Sequence, residues 1–389
     1  MRSMIKTLSP EIVEDKVILI RLDLNVPLKD GVVQEDTRII ESLPTLHYLL
    51  KNNAKRVHIL THLGRPKGEV VPALSAQCLV EILSQKLGED VEFRDDYSAG
   101  NARMQLHENT RFRPEEKKGD QESFAQEILD GTGAEIFIND GFAVSHRAQT
   151  SVIGFAGKIP CYAGFLLQKE IEALAPFLTD EKIPGLVLVA GGAKMETKVP
   201  VLKHFAKIAD HILVGGALSN TFQVAQGHDV GESMYEEDFV ETAREVLEIA
   251  NTFKTGFHSP IDVICADDIK SENTADLPLE DVCGDAKIFD IGPHSIASFS
   301  EILQHANVII WNGPLGVIEK KNFAKGTQAI AGVIGSQTDK RTILGGGDTI
   351  EALRLFGLDK SRFTHVSTGG GAMLEFLAGN QLPGIEILA

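Results

Sequence analysis

Short apolar segments recur along this chain, and segments of helical length separate them. The apolar segments are KVILIRLDL, RVHILTHL, EIFINDGF, GLVLVAGG, HILVGGAL, DVICADDI, NVIIWNGP, RTILGGGDT and FTHVSTGGG. Continuous apolar strands that alternate with helices are typical of parallel sheets covered by helices on both faces. The sequence therefore predicts an α/β protein built from βαβ units.

The length of the chain predicts two domains. A chain of 389 residues, 43% of them hydrophobic, is too long for one ordinary core and long enough for two. The central segment AGFLLQKEIEALAPFL has apolar positions at helical spacing. We therefore predict two doubly wound (Rossmann-like) parallel-sheet domains that meet near residue 168. A hinge helix within residues 163–177 joins them in this prediction, with a cleft between the domains.

Charge and composition exclude several classes of partner. A net charge of −17 disfavours nucleic acid and anionic membrane surfaces, because the field of the protein would repel both. Cys78, Cys161, Cys265 and Cys283 lie far apart, which favours buried reduced thiols over a metal or redox site. The first residues carry charges throughout, and no apolar run approaches the roughly 20 residues that span a bilayer. We therefore expect no membrane partner and a cytoplasmic location.

Polar and basic residues follow the strands of the first half. They are Arg21, Asp23, Asn25, His62, Arg65, Asn109, Arg111, Asn139, Asp140, His146 and Arg147. Arg38 stands in the adjoining segment EDTRIIESL. In open parallel sheets, ligands bind beyond the carboxyl ends of the strands, and guanidinium groups match carboxylates and phosphates. These arginines predict a site for a small acid with a carboxylate and a phosphate, although Arg21 alternatively pairs with an internal carboxylate.

Glycines take the same positions in the second half, at Gly191–Gly192, Gly215–Gly216, Gly345–Gly347 and Gly369–Gly371. Glycine-rich turns from strand to helix allow backbone N–H groups and the positive helix end to approach a phosphate. The P-loop motif G-x-x-x-x-G-K-[ST] is missing, and no strand is followed by G-x-G-x-x-G. The second half therefore predicts a nucleotide site of another kind. The spacing from Gly191 to Gly215 equals that from Gly345 to Gly369, as expected for adjacent sheet units.

Two further motifs of this half carry charged residues. GGAKMETK places Lys194 and Lys198 four residues apart at a predicted helix start, on one helical face. GGGDTIEAL places Asp348 and Thr349 at another helix start, where they serve either as N-caps or, for Asp348, as a ligand of Mg²⁺ on a nucleotide. The lysine pair favours an anion at the first helix start.

The motifs also resemble those of one enzyme family. In chain order they are RLDLNVP, DTRI, THLGRP, ENTRFRPEEKKGD, NDGFAVSHRAQTS, VAGGAK, GGALSNTF, DIGP, WNGPLGVIE, GGGDT and STGGGA. This ordered set resembles the phosphoglycerate kinases, from about residue 5 to LPGIEIL at the end. The resemblance implies an acid-binding domain of residues 1–168 with a C-terminal tail of residues 373–389, and a nucleotide-binding domain of residues 169–372.

Carried over position by position, the resemblance also assigns roles to individual residues. The residues implied to bind 3-phosphoglycerate are Asp23, Asn25, Arg38, His62, Arg65, Arg111 and Arg147. Those implied to bind ATP or ADP are Lys194, Lys198, Gly215, Gly216, Gly292, Asn312, Glu319, Gly346, Gly347, Asp348 and Thr349, with Asp348 beside Mg²⁺. Arg38, Lys194, Gly369, Gly370 and Gly371 would surround the phosphoryl group during transfer.

Some positions depart from the family pattern. They are Met195, Glu196 and Thr197 between the two lysines, Gln149 in HRAQ, His294 in DIGPHS, and His107 and Thr110 in LHENTRF. None of these positions carries a residue that we assign to the chemistry.

The reaction implied by the resemblance is 1,3-bisphosphoglycerate + ADP ⇌ 3-phosphoglycerate + ATP, catalysed by a monomer whose domains close. Two other hypotheses use the same sequence features. A nicotinamide dehydrogenase would also have glycine-rich turns, but it requires the missing G-x-G-x-x-G motif. A non-catalytic anion-binding protein would need the arginines but not Lys194, Glu319 and Asp348.

Overall fold

Eight of the nine apolar segments predicted as strands lie in two parallel sheets. The structure is a computed structural model that describes residues 5–118 and 120–389. It divides into two units, one comprising the chain up to Ala175 with Gln381–Ala389, the other Pro176–Asn380. The predicted α/β class with parallel sheets is confirmed.

The first unit contains a parallel sheet with the strand order β5-β6-β4-β1-β7-β8. Its strands and the small hairpin β2-β3 are β1 (Val17–Arg21), β2 (Leu28–Lys29), β3 (Val32–Val33), β4 (Arg56–Leu60), β5 (Val91–Arg94), β6 (Met104–His107), β7 (Ile136–Asn139) and β8 (Cys161–Ala163). Its helices before the domain boundary are α1 (Pro10–Val13), α2 (Thr37–Lys51), α3 (Val80–Leu87), α4 (Gln121–Thr132), α5 (Thr150–Ile153) and α6 (Phe165–Leu174).

Strand β1 lies at the centre of this sheet, and each of its five residues is buried. It pairs with β4 and β7, so the residues that follow these three strands emerge at one edge of the sheet. The topology therefore gathers the predicted polar residues of this half, although they are distant in sequence.

The second unit contains a parallel sheet with the strand order β11-β10-β9-β15-β16-β17. The strands of the unit are β9 (Leu186–Ala190), β10 (His211–Val214), β11 (Gly256–His258), β12 (Asp262–Ala266), β13 (Ala275–Pro278), β14 (Lys287–Ile291), β15 (Val308–Asn312), β16 (Arg341–Gly345) and β17 (His365–Ser367). Its helices are α7 (Val199–Ile208), α8 (Ala217–Ala225), α9 (Val240–Thr252), α10 (Pro293–His305), α11 (Lys325–Ser336), α12 (Gly347–Leu355) and α13 (Gly371–Leu377).

Two sequence predictions for this unit have different outcomes. Strands β9 and β10 are neighbours, as are β16 and β17, so the equal glycine spacings do mark adjacent sheet units. The segment DVICADDI is not a parallel strand of the main sheet. It forms β12, which pairs antiparallel with β13 and β14 in a separate small sheet. Its apolar side chains face a small core of their own around Val263, Cys265 and Val282.

The last residues of the chain return to the first unit. Helix α14 (Pro383–Glu386) follows there, and the Gly384 carbonyl accepts a hydrogen bond from Asn139 Nδ2 at 2.7 Å. Lys6 N donates to the Leu388 carbonyl at 2.9 Å. The structural division at Gln381 lies C-terminal to the predicted residue 373, which falls inside helix α13 of the second unit. Likewise α6, in the predicted hinge region, belongs to the first unit.

All four cysteines are free, among the described residues. Cys161 and Cys265 are buried and Cys78 is half-buried, but Cys283 is exposed, so the prediction of buried thiols is wrong for Cys283. In the same described part of the chain, no helix has the length and hydropathy needed to cross a membrane.

Two buried histidines couple the stability of the first unit to pH. His58 Nδ1 lies 2.9 Å from His107 Nε2, and both rings are fully buried. Burial lowers the pKa of His58 to about 3 and that of His107 to about 4. Both stay neutral in the folded chain at pH 5, whereas unfolded histidines take up protons below their reference pKa near 6.5. The free energy of unfolding should therefore fall as pH falls from about 6.5 to 4, by up to about 1.4 kcal/mol per pH unit for each histidine.

Urea unfolding between pH 7 and 4.5 measures this slope. Far-UV circular dichroism follows both units, and fluorescence of Trp311, the single tryptophan, reports the second unit alone. The His107→Leu variant should have a shallower slope than the wild type, while His47→Gln, which changes an exposed histidine, should keep the wild-type slope. Equal slopes for His107→Leu and the wild type would contradict the assignment.

Candidate functional site

Arg21 emerges at the carboxyl end of β1 and is fully buried. Its Nη2 lies 2.9 Å from Nδ1 of His62, and its Nη1 donates to Thr110 Oγ1 at 3.4 Å. Burial lowers the pKa of Arg21, and the negative charge of Glu116 opposes this shift. Arg21 is therefore an internal cation whose hydrogen-bond partners are His62 and Thr110, with the charge of Glu116 acting on it without a direct ion pair among the described residues.

The bond to Arg21 fixes the protonation of His62. Burial, followed by the charges of Arg21 and other arginines, holds the pKa of His62 well below its usual value, so the ring is neutral. An arginine N–H can only donate, hence Nδ1 of His62 accepts and Nε2 carries the proton. His62 can therefore donate one hydrogen bond from Nε2 to a ligand without carrying a charge.

Asp23 ties Arg38 into the same cluster. The two form an ion pair, and the Asp23 carboxylate also lies 3.9 Å from His62 Nδ1 and accepts the N–H of Asn25 at 3.2 Å. Burial lowers the pKa of Arg38, while the buried Glu170 raises it. Asp23 thus positions a partly exposed guanidinium rather than leaving it to move in solvent.

The turn after β4 is held from two sides. The Gly64 N–H donates to Asn25 Oδ1 at 2.8 Å, and Arg111 Nη1 donates to the Gly64 carbonyl at 2.8 Å. Gly64 has φ +60°, a conformation that glycine adopts without strain. The next residue, Arg65, is exposed, so the turn presents its guanidinium to solvent.

Arg111 has unused capacity to bind an anion. Its buried Nε has no hydrogen-bond partner among the described residues. Burial and the charges of Arg21 and Arg147 lower the pKa of Arg111 to about 10. The half-buried His146, next to the exposed Arg147, also has an unpaired Nδ1. Repulsion between these cations and an orphaned donor both favour an anion at this edge of the sheet.

Glu116 belongs to this cluster, although it was not a predicted site residue. Its carboxylate is buried and accepts the Ser151 N–H at 3.0 Å and the Ser151 hydroxyl at 2.6 Å. Its negative charge raises the pKa of Arg21 and of Arg111, against the effect of burial. Its place in the ENTRFRPEEKKGD motif was the signal that could have identified it.

The first two glycine turns of the second unit pack against another loop rather than offer free N–H groups. Gly192 N donates to the Pro314 carbonyl and Gly216 N to the Leu315 carbonyl, both at 2.8 Å. A Cβ on Gly216 would lie 2.8 Å from the Gly192 carbonyl oxygen, so glycine is required for loop packing. The prediction that these turns form an anion cradle is therefore wrong for their N–H groups.

The start of α12 is open instead. Gly346, with φ +99°, takes the N-cap position, and no side chain caps the helix. The first N–H groups of a helix have no partner within it and carry its positive end. Asp348 lies exposed in the first turn. Thr349 is buried and its Oγ1 accepts the Gly313 N–H at 2.7 Å, so neither residue serves as the N-cap.

Lys198 and Lys194 occupy different environments. Helix α7 begins at Val199, so Lys194 lies in the preceding turn and the prediction of one shared helical face is wrong. Lys198 is buried, and its Nζ donates to the Asn312 side-chain oxygen and to the Asn312 carbonyl, the latter at 3.2 Å. Burial lowers the pKa of Lys198 to about 8, and the negative charge of Asp348 opposes this shift. Lys194 is exposed, without a side-chain partner in the described part of the chain.

Asn312 links the carboxyl ends of β15 and β16. Its Nδ2 donates to the Gly345 carbonyl at 2.8 Å while its oxygen accepts from Lys198. Lys198, Asn312 and Gly345 are therefore joined by hydrogen bonds, and Thr349 ties Gly313, the residue after Asn312, to the first turn of α12.

Gly292 and Glu319 stand apart from this network. Gly292 N donates to the Asp262 carbonyl at 2.8 Å, and the Asp262 carboxylate accepts the N–H groups of His294 and Ser295 at 2.8 and 2.7 Å. Asp262 thus fixes the start of α10. Sequence patterns could not identify this role, because the bonded residues lie about thirty positions further along the chain. Glu319 is exposed in the connection between β15 and α11.

The carboxylates of the second unit fit a Mg²⁺ ion that is also bound by nucleotide phosphates. The described carboxylates do not form a site that could hold the ion with protein ligands alone. In the described residues, no group of three or more His, Cys, Asp or Glu side chains could hold a metal ion. Mg²⁺ prefers one or two carboxylates together with phosphate oxygens and water. The single exposed carboxylate of Asp348 at the open start of α12 fits that preference.

Known proteins match this chain over almost its whole length. The family model described as PGK: Phosphoglycerate kinase matches residues 8–380. The phosphoglycerate kinase of Finegoldia magna is 40% identical over 396 residues, 98% of each chain, and that of Fervidobacterium nodosum 42% identical over 388 residues, 96% of each chain.

Solved structures agree with these sequence matches. Phosphoglycerate kinase from Coxiella burnetii has a TM-score of 0.85 and 36% identity, covering 97% of this chain and 96% of that chain. The enzyme from Pyrococcus horikoshii has a TM-score of 0.81 and 32% identity, with the same coverage. On these matches, together with the sheets and side-chain clusters above, the chain belongs to the phosphoglycerate kinase family of enzymes.

Proposed function

We propose that this chain catalyses reversible phosphoryl transfer between 1,3-bisphosphoglycerate and ADP, giving 3-phosphoglycerate and ATP. The observation that carries the proposal is the division of charged groups between the two units. The first unit gathers arginines with an orphaned donor, and the second presents an open helix start beside a buried lysine. A small acid and a nucleotide are the ligands that these two clusters fit.

In the first unit, 3-phosphoglycerate would bind among Asp23, Asn25, Arg38, His62, Arg65, Arg111 and Arg147. Exposed guanidinium groups of Arg65 and Arg147 suit a phosphate, because their paired N–H groups match its oxygens. Nε2 of the neutral His62 would donate to an oxygen of the acid, and Asp23 would hold Arg38 in place.

In the second unit, ATP or ADP would bind among Lys198, Gly215, Gly216, Gly292, Asn312, Glu319 and Gly346–Thr349. The free N–H groups at the start of α12 and the Lys198 ammonium would attract phosphate oxygens. Asp348 would hold Mg²⁺, which when bound neutralises charge on the nucleotide phosphates.

The transfer itself requires no general base. The acceptor carboxylate of 3-phosphoglycerate is already ionised at neutral pH, given a reference pKa near 4. Catalysis then consists of in-line positioning and of neutralising charge on the transferring group. We assign that neutralisation to Arg38, Lys194 and the N–H groups of Gly370 and Gly371, since the Gly369 N–H already donates to Ser367 Oγ at 3.0 Å.

Direct transfer needs the two substrates in contact, so we propose that the units close during the reaction, which would also exclude water and limit hydrolysis of ATP. We further propose a cytoplasmic monomer that does not bind nucleic acid. Sedimentation of the purified chain, with and without DNA, tests the last two statements.

A coupled assay of ATP consumption that depends on 3-phosphoglycerate tests the proposed function. Turnover that requires both substrates is the expected result. Binding of 3-phosphoglycerate without turnover would support a non-catalytic anion-binding protein. Fluorescence quenching by NADH but not by ADP would support a dehydrogenase.

A further inference from the structure

The exposed Glu319 lies on a connection that strand β14 holds in place. This connection, residues 313–324, joins β15 to α11 and is called the Glu319 loop below. Val317 N donates to the Phe289 carbonyl at 3.0 Å, and the rings of Phe289 and Phe323 pack with centroids 4.7 Å apart. The backbone and a side chain of β14 therefore contact both halves of the loop.

Asp290, the next residue of β14, bonds the backbone just after the loop and lies close to Gly316 within it. Its side chain is 1% exposed, with Oδ2 accepting the Gly326 N–H at 2.8 Å and Oδ1 the Ile291 N–H at 2.9 Å. A Cβ on Gly316 or Gly326 would overlap this carboxylate. The backbone thus passes tightly against Asp290 on either side of Glu319, and glycine allows both approaches.

A second group supports the base of the loop. Leu315 N donates to the Thr327 hydroxyl at 2.9 Å, and Thr327 is fully buried on α11. Thr327 therefore holds the segment that enters the Glu319 loop, at Leu315, and Asp290 holds the segment that leaves it, at Gly326.

Burying the Asp290 carboxylate at this position lowers the stability of the fold. It has no salt bridge to any residue that the structure describes, and Lys325 is the charged group that faces it. Burial raises the pKa of Asp290 to about 7, against the N–H groups of Gly326 and Ile291, which lower it. A buried carboxylate without a paired cation is destabilising unless hydrogen bonds offset the cost, so the N–H groups of Gly326 and Ile291 are what hold Asp290 in this place.

We propose that Asp290 is a positioning residue for the nucleotide. By clamping the Glu319 loop it holds the Glu319 carboxylate in the orientation that binds ADP or ATP. This inference rests on the proposed function, in which Glu319 contacts the nucleotide.

The Asp290→Asn variant tests the clamp with a side chain of equal size. An amide has one acceptor oxygen, so one of the two N–H groups would face an NH₂ group and lose its bond. We expect the KM for ADP to rise about tenfold, with kcat and the KM for the acid substrate within about twofold of wild type. Asp210→Asn is the matched control, because Asp210 also accepts a backbone N–H, that of Gly185 at 2.5 Å, before β10 at the other end of the sheet.

A double-mutant cycle with Glu319→Gln separates positioning from general destabilisation. If Asp290 acts through Glu319, the second substitution should raise the KM for ADP much less in the Asp290→Asn background than in the wild type. Multiplicative effects would contradict the inference. Thr327→Val, which removes the other support, should reproduce the effect and serves if Asp290→Asn does not fold. An inactive wild type would refute the proposed function, whereas an active wild type with unchanged KM in both variants would refute this inference alone.

Discussion

Replacing Lys194 by alanine is expected to lower kcat by about 10²- to 10³-fold and to leave ATP affinity nearly unchanged. The side chain is exposed and has no partner among the described residues, so the fold does not depend on it. A cation aimed at charge that develops during transfer contributes to the transition state and not to ground-state binding, and removing such a group typically costs a factor of this size. Steady-state kinetics and calorimetry with ATP measure the two quantities.

Lys203→Ala is the control for this experiment. It removes the same charge from helix α7, where Lys203 pairs with Glu245 at 2.6 Å. Its kcat and thermal stability should remain near those of the wild type, since surface substitutions usually change stability by less than about 0.5 kcal/mol. Near-normal turnover of Lys194→Ala would show that the assigned role is wrong.

Replacing Arg65 by alanine should raise the KM for 3-phosphoglycerate at least tenfold while nucleotide binding stays intact. Arg65 is exposed after the Gly64 turn, which Asn25 and Arg111 hold without its help. Loss of a charge-assisted bond to a phosphate typically costs about 1.5–3 kcal/mol, equivalent to about ten- to hundredfold in affinity. Kinetics with each substrate varied in turn, together with calorimetry using ADP, provide the measurement.

Arg56→Ala is a matched control, because Arg56 begins strand β4 while Arg65 follows its end. The two substitutions change the net charge equally, so an effect of overall charge would appear in both variants. Equally weakened binding of ADP in Arg65→Ala would overturn the division of substrates between the two units.

The contrast between the two lysines shows where pattern reasoning fails. Their spacing of four residues at a predicted helix start predicts that both lie on one helical face. Helix α7 starts only at Val199, so Lys198 turns inward to Asn312 and Lys194 remains exposed. The position of a helix start depends on the loop before it, and this loop is fixed by bonds to residues of another strand connection.

The sequence by itself determined eight strands of the two parallel sheets and the ordered motifs of the family, but not the edge strands β5, β8 and β11, the strand β6, or the antiparallel pairing of β12. The eight strands and the motifs follow from local signals, since apolar runs, glycine turns and motif residues are each contained within a few adjacent positions. Even the contrast between arginines in one half and glycines in the other required no coordinates.

Only the tertiary structure decided what each polar group does. The neutral ring of His62 depends on burial and on Arg21, which lies 41 positions away in the chain. The glycine N–H groups after β9 and β10 donate hydrogen bonds to carbonyl groups of a neighbouring loop. The N–H groups without such partners, among the described residues, are at the start of α12. Burial and hydrogen bonding between distant segments set these properties, and a pattern of residue types does not encode them locally.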